Sequence, residues 1–64
     1  MLKQNLLLET KEGERFYISK IASSGSGART CALRDEKTKK HFDTLSERLL
    51  EFQIKRGLYK VIKP

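Results

Sequence analysis

Cys31, His41 and Asp43 carry the most reactive side chains in this sequence. Cys31 and His41 fall on adjacent predicted strands, so a thiol–imidazole pair is the one nucleophilic arrangement on offer. His41 and Asp43 stand two apart and on a regular strand would share a face, where one could orient the other. The surroundings argue for a plainer role. A small thiol set among Thr30, Ala32 and Leu33 is core chemistry. No hydroxyl or second carboxylate is tied to His41 by spacing, and a chain of 64 residues has little room for an enclosed pocket. One Cys and one His leave no internal disulfide and no Cys/His zinc set. The expectation is a non-enzyme that uses no metal or cofactor.

Charge offers more than nucleophiles do. Fourteen Lys and Arg against eight Asp and Glu leave a formal net charge of +6. Between Arg15 and Arg34 the basic residues Arg15, Lys20, Arg29 and Arg34 occur with no acid. From Phe52 onward Lys55, Arg56, Lys60 and Lys63 do the same. Tyr17 lies between Arg15 and Lys20, and Lys37-Thr38-Lys39-Lys40-His41 makes a basic turn. Such a distribution steers anionic partners and adds nucleic-acid affinity. Aromatics in a basic groove stack bases, and loop lysines reach phosphates. The candidate nucleic-acid contacts are Arg15, Tyr17, Arg29, Arg34, Lys37, Lys39, Lys40, Lys55 and Arg56, with DNA or RNA as the partner. Ser23-Ser24-Gly25-Ser26-Gly27 before Arg29 has the composition of an amide cradle for phosphate. It lacks the Gly-Lys-Ser/Thr ending of a phosphate loop and reads as a plain connection.

The elements that must position these side chains are strongest near the C-terminal end. Thr44 with Glu47 forms the pattern of a capping box, and Leu45, Leu49 and Phe52 follow at helical spacing. Glu51 and Lys55 pair at i, i+4, and Gly57 can take the left-handed conformation that ends helices. A helix is expected from about Thr44 to Arg56, burying the Leu45/Leu49/Phe52 stripe. Leu50 and Ile54 lie well round from that stripe. The plainer reading is a helix that touches its own core on two sides, and the sharper one, a second face kept for a partner or a second copy, makes them candidate protein-binding residues. Leu58-Tyr59-Lys60-Val61-Ile62 has strand composition, and Pro64 cannot extend a ladder.

Upstream, Leu6-Leu7-Leu8 and Arg15 to Ile21 flank a turn at Gly13 and predict a hairpin. Phe16 and Ile18 are expected on one face of the second strand, Tyr17 and Ile21 on the other. Arg29 to Arg34 and Lys40-His41-Phe42 make a second hairpin around Asp35 to Lys39. The order β-β-β-β-α-β with short connections favours an antiparallel meander in one domain spanning 1–64. The expected core is Leu7, Phe16, Ile18, Ile21, Cys31, Leu33, Phe42, Leu45, Leu49, Phe52, Leu58 and Val61.

This order resembles an SH3-like small barrel, with a helix where such folds carry a short turn before the last strand. It is also similar to the three-stranded-sheet-plus-helix layout of some mobile-element integrase DNA-binding domains, from which the last strand departs. Either resemblance implies an α+β fold with a small, partly open barrel or sheet. Met1-Leu2-Lys3 leads into no signal-peptide apolar region, and no run is long enough to span a membrane. The unpaired thiol suits a reducing cytoplasm. Below about 70 residues a core rarely supplies more than ~3–5 kcal/mol, so a homo-oligomer or a bound partner is a natural addition. Two functions follow as expectations. One is a non-catalytic nucleic-acid-binding or regulatory module. The other is a regulator, adaptor or inhibitor, of the kind phages and mobile elements carry, that binds a host protein through the helix face and a sheet edge.

Overall fold

The computed structural model describes residues 2–23 and 25–62. Met1, Ser24 of the Gly/Ser segment, and Lys63 and Pro64 at the C-terminal end lie outside the described residues. The elements are β1 (Leu7–Glu9), β2 (Arg15–Ser23), β3 (Arg29–Asp35), β4 (His41–Ser46), α1 (Glu47–Lys55) and β5 (Lys60–Ile62). All the strands join one open antiparallel five-stranded sheet in the order β4-β3-β2-β1-β5, with the helix near the C-terminal end.

Turn chemistry sets the hairpins. Between β1 and β2, Thr10 donates its amide to the Glu14 carbonyl at 2.8 Å, and Gly13 supplies the φ of 87° that the tight reversal needs. Between β3 and β4, an Asp35 carboxylate oxygen accepts the amides of Lys37 and Thr38 at 2.8 and 3.0 Å, an Asx turn. Those two amides, Thr38 first, hold the Asp35 carboxyl below the ordinary aspartate range.

Two bulges decide which residues face inward. Ile18 pairs with Leu33 and Lys20 with Ala32, leaving Ser19 as an extra residue in β2. Ile21 then stands opposite Cys31, which shares the Leu33 face, so Ile18 and Ile21 point the same way. The expected split, with Ile21 on the Tyr17 side, is corrected by that inserted residue. In β4, Asp43 pairs with Leu33 and His41 with Arg34, so Phe42 is the extra residue and His41 and Asp43 fall on opposite faces.

The inner face carries the core: Leu2, Leu8, Phe16, Ile18, Cys31, Leu33 and Leu45, closed by Leu50 of α1. Ile21, Ile54, Tyr59 and Val61 pack against it. Phe16 lies under a stacked Phe42 (ring centroids 4.1 Å apart) and meets Tyr59 edge-on at 6.3 Å. Burial chiefly, with Asp43 and Glu14 nearby, pushes the Tyr59 hydroxyl pKa up.

The helix starts later and faces differently than its periodicity suggests. Ser46 is the N-cap, accepting the Leu49 amide at 3.1 Å, whereas Thr44 is a strand residue paired with Ala32. The Thr44/Glu47 capping box does not form because Leu45, opposite Cys31, is drawn into the sheet core and keeps the chain extended through Ser46. Leu45 therefore belongs to a strand, and the stripe drawn through Leu45, Leu49 and Phe52 crosses a strand–helix junction. Leu50 is fully buried and Ile54 packs on the core, while Leu49 and Phe52 are 46% and 54% exposed. Phe42 and Leu58, also expected inside, are about half exposed, and Leu7 sits on the opposite face of the sheet. At the far end Gly57, at φ 86°, donates to the Ile54 carbonyl and Leu58 to that of Gln53, closing the helix as expected.

Candidate nucleic-acid interface

The reactive trio is dispersed. Cys31 is fully buried on the inner face opposite Leu45. Its burial, and secondarily the Glu47 carboxylate, raises the thiol pKa. His41 stands opposite Arg34, three residues along β3 from Cys31 and hence on the outer face, so no thiol–imidazole pair forms. The His41 Nε2 lies 3.3 Å from Thr44 Oγ1, and Asp43 accepts the Thr44 amide at 2.8 Å instead of orienting the imidazole. Among the described residues no group of three His, Cys, Asp or Glu could hold a metal, and no helix is long and apolar enough to cross a membrane.

The basic residues divide into several environments. Arg15 bonds Glu9 at 3.1 Å, and together with Lys37 it borders a hollow of about 520 Å³ that Glu9, Glu12, Glu14, Asp35 and Glu36 also line. Their positive charge is offset locally. Arg29 lies at the opposite end of β3, its guanidinium 3.6 Å from the Glu47 carboxylate. Five residues of strand, roughly 17 Å, separate it from Arg34. The hollow beside the Gly/Ser segment is lined by Ser26, Gly27, Ala28, Arg29, Ser46, Glu47 and Arg48, so its Arg29 already faces a carboxylate. Lys55 and Arg56 are exposed at the end of the helix, on the other side of the sheet from Tyr17, and the Arg56 guanidinium sits 5.5 Å from the Phe52 ring. Leu50 and Ile54, the candidate protein-binding pair, turn to the core as the plainer reading had them, and the helix offers Leu49 and Phe52 outward.

Three predicted contacts come together on the outer face. One row of register partners crosses the whole sheet: Ile62, Leu7, Tyr17, Arg34 and His41. Lys39 reaches back from the turn to set its ammonium 5.1 Å from the Tyr17 ring centroid. An exposed cation–π contact of this kind contributes about 0.5–1 kcal/mol. The Arg34 guanidinium donates to the Lys39 carbonyl at 2.6 Å and fixes that residue with a φ of 64°, a left-handed conformation that L side chains seldom adopt. Lys40 is exposed on the same turn, and Lys20 shares the outer face through its pairing with Ala32.

Next to this cluster a groove of about 690 Å³ is lined by Leu7, Tyr17 and Ile62 of the row and by loop residues Lys3, Gln4, Asn5, Leu6, Glu36 and Lys39. Lys3, Leu7 and Ile62 were not among the residues expected at a site. Strand alternation gives a clue to Leu7: in Leu6-Leu7-Leu8 a strand with Leu8 inside must turn Leu7 out. No family model, curated protein or solved structure matches this chain.

Proposed function

We propose that this chain is a non-catalytic, cytoplasmic nucleic-acid-binding module that works through the outer face of its sheet. The observation that carries the reading is the Tyr17–Arg34–His41 row with Lys39 over the tyrosine: an aromatic face and several cationic or hydrogen-bonding side chains on the side opposite the helix. Base stacking on an aromatic contributes about 1–3 kcal/mol, and each basic contact to phosphate adds a salt-dependent increment. Arg15, Arg29, Lys37, Lys55 and Arg56 lie outside this row and contribute to the general field only. The strand order, with β5 beside β1 and a helix between β4 and β5, supports reading the sheet as a partly open SH3-like barrel, curled by the bulges at Ser19 and Phe42.

Fluorescence anisotropy with labelled DNA and RNA oligonucleotides at several salt concentrations tests the function. Arg34→Ala and Lys39→Ala should each weaken binding and flatten the salt slope by about one unit per lost phosphate contact. Absence of binding at low salt, or variants that bind as the parent does, would overturn it.

A second reading, a protein-binding regulator, draws on the half-exposed Leu49, Phe52 and Leu58. If those residues mediate self-association, sedimentation equilibrium should show a dimer that Leu49→Asp with Phe52→Asp disrupts. A monomer at every concentration would remove self-association from that reading.

A further inference from the structure

We propose that the nucleic acid bound at this face is single-stranded, and that one of its bases displaces the Lys39 ammonium from the ring of Tyr17. This inference rests on the nucleic-acid reading above and specifies its ligand. The Tyr17 ring is half-buried between two kinds of neighbour. Leu7 and Ile62 continue its row on one side, and Arg34 continues it on the other. The contact over the ring is an ammonium, from a lysine exposed to solvent.

The backbone beneath that lysine is fixed. Its carbonyl accepts from Arg34, and its amide donates to the Asp35 carbonyl at 2.9 Å. Only the side chain has to move. An arriving base exchanges a solvent-exposed cation–π contact for stacking, the stronger of the two. The released ammonium then stays within reach of the phosphate that accompanies the base.

A duplex does not fit this surface as well. Its base faces are stacked on one another and only edges, sugars and phosphates are presented, so Tyr17 would find no base face to stack on and Leu7 and Ile62 would meet thymine methyls at most. The adjoining groove, at about 690 Å³, lies within the roughly 300–1,000 Å³ typical of small-ligand sites and accommodates a nucleotide beside the ring. Glu36 on its border disfavours a phosphate there, which leaves Lys3 and Lys39 to set where the backbone passes.

The chain contains two tyrosines and no tryptophan, so tyrosine emission reports the site directly. A Tyr59→Phe variant keeps the ring that packs on Phe16 and leaves Tyr17 as the fluorophore. This variant is titrated with oligo-dU, with oligo-U and with a duplex of the same length. Single strands should quench Tyr17 emission and bind at least tenfold more tightly than the duplex; whichever single strand binds better identifies the sugar. In the same assay followed by anisotropy, Tyr17→Ala should lower single-strand affinity by roughly 5- to 150-fold, while Tyr17→Phe retains it. Circular dichroism of both variants checks that the fold persists.

Duplex binding as tight as single-strand binding would overturn the inference while leaving the nucleic-acid reading standing. So would binding without quenching, or an unaffected Tyr17→Ala. Failure of every oligonucleotide to bind would remove both.

Discussion

Replacing Leu50 with alanine removes a side chain that is fully buried beneath α1, in contact with the core formed by Leu8, Ile18, Leu33 and Leu45. A cavity of this origin costs about 2–5 kcal/mol. Leu49, the preceding residue, is 46% exposed and has already kept about half of its surface in water. Full burial of a leucine side chain contributes about 1.5–3 kcal/mol, so truncating a half-buried one should cost roughly 1 kcal/mol. Alanine's better helix propensity offsets about 0.2 kcal/mol of that. A chain of this size has only ~3–5 kcal/mol of stability to lose. Urea unfolding followed by far-ultraviolet circular dichroism separates the two variants. With a slope near 1 kcal/mol per molar, the Leu49→Ala midpoint should fall by about 1 M or less. Leu50→Ala should fall by about 2 M or lose its folded baseline altogether. Should Leu50→Ala be unfolded in buffer, Leu50→Met gives a folded intermediate case costing under about 1.5 kcal/mol. Equal midpoints, or Leu49→Ala the weaker of the two, would refute the inward orientation of Leu50 and restore the Leu45/Leu49/Phe52 face.

Deleting Ser19 removes the bulge but leaves Ile18 and Ile21 two residues apart on the same face, so the fold should persist with the loss of the bond to the Ala32 carbonyl, about 0.5–1.5 kcal/mol. Deleting Ser19 and Lys20 together instead turns Ile21 and the rest of β2 to the outer face and should abolish folding. A one-dimensional proton spectrum distinguishes the two, and a dispersed spectrum for the double deletion, or a collapsed one for the single deletion, would contradict the register. Cys31 should react with a thiol reagent only on unfolding, roughly 100-fold or more slowly than in denaturant at this stability. Because its folded pKa is raised, its contribution to stability is present below the ordinary thiol range and is lost as pH rises through the folded value. Rapid labelling in buffer would place the thiol at the surface. Asp35 has the opposite sign: its folded pKa is lowered, so its hold on the Lys37 and Thr38 amides is present above the unfolded value and is lost as pH falls through the folded one. Amide shifts of Lys37 and Thr38 should therefore titrate below the ordinary aspartate value of about 3.9, and titration at or above it would contradict the Asx turn.

The order of elements was legible because each rests on local chemistry: Gly13 and Asp35 in turns, Gly57 past a helix, β-branched and aromatic residues between them. What was not legible is a matter of single residues. One inserted residue at Ser19 reverses the face of everything after it in β2, and one at Phe42 separates His41 from Asp43. Neither position is marked by glycine or proline, and alternation in a lone strand cannot reveal a bulge that exists only relative to a partner. The helix face was misjudged for a similar reason. Leu45 is claimed by Cys31 across the sheet, a long-range pairing that outweighs an intact local capping box, and with Leu45 removed from the stripe Leu50 and Ile54 become the buried pair. The same logic narrows the basic surface. Acid-free stretches of chain did not remain acid-free surfaces, because folding brings Glu9 to Arg15 and Glu47 to Arg29. Tyr17 and Arg34 meet through strand register, and Lys39 joins them because Arg34 clamps its carbonyl. These three predicted contacts bring an aromatic ring and two cations together on the outer face of the sheet, and an isolated charge pattern could not have selected them.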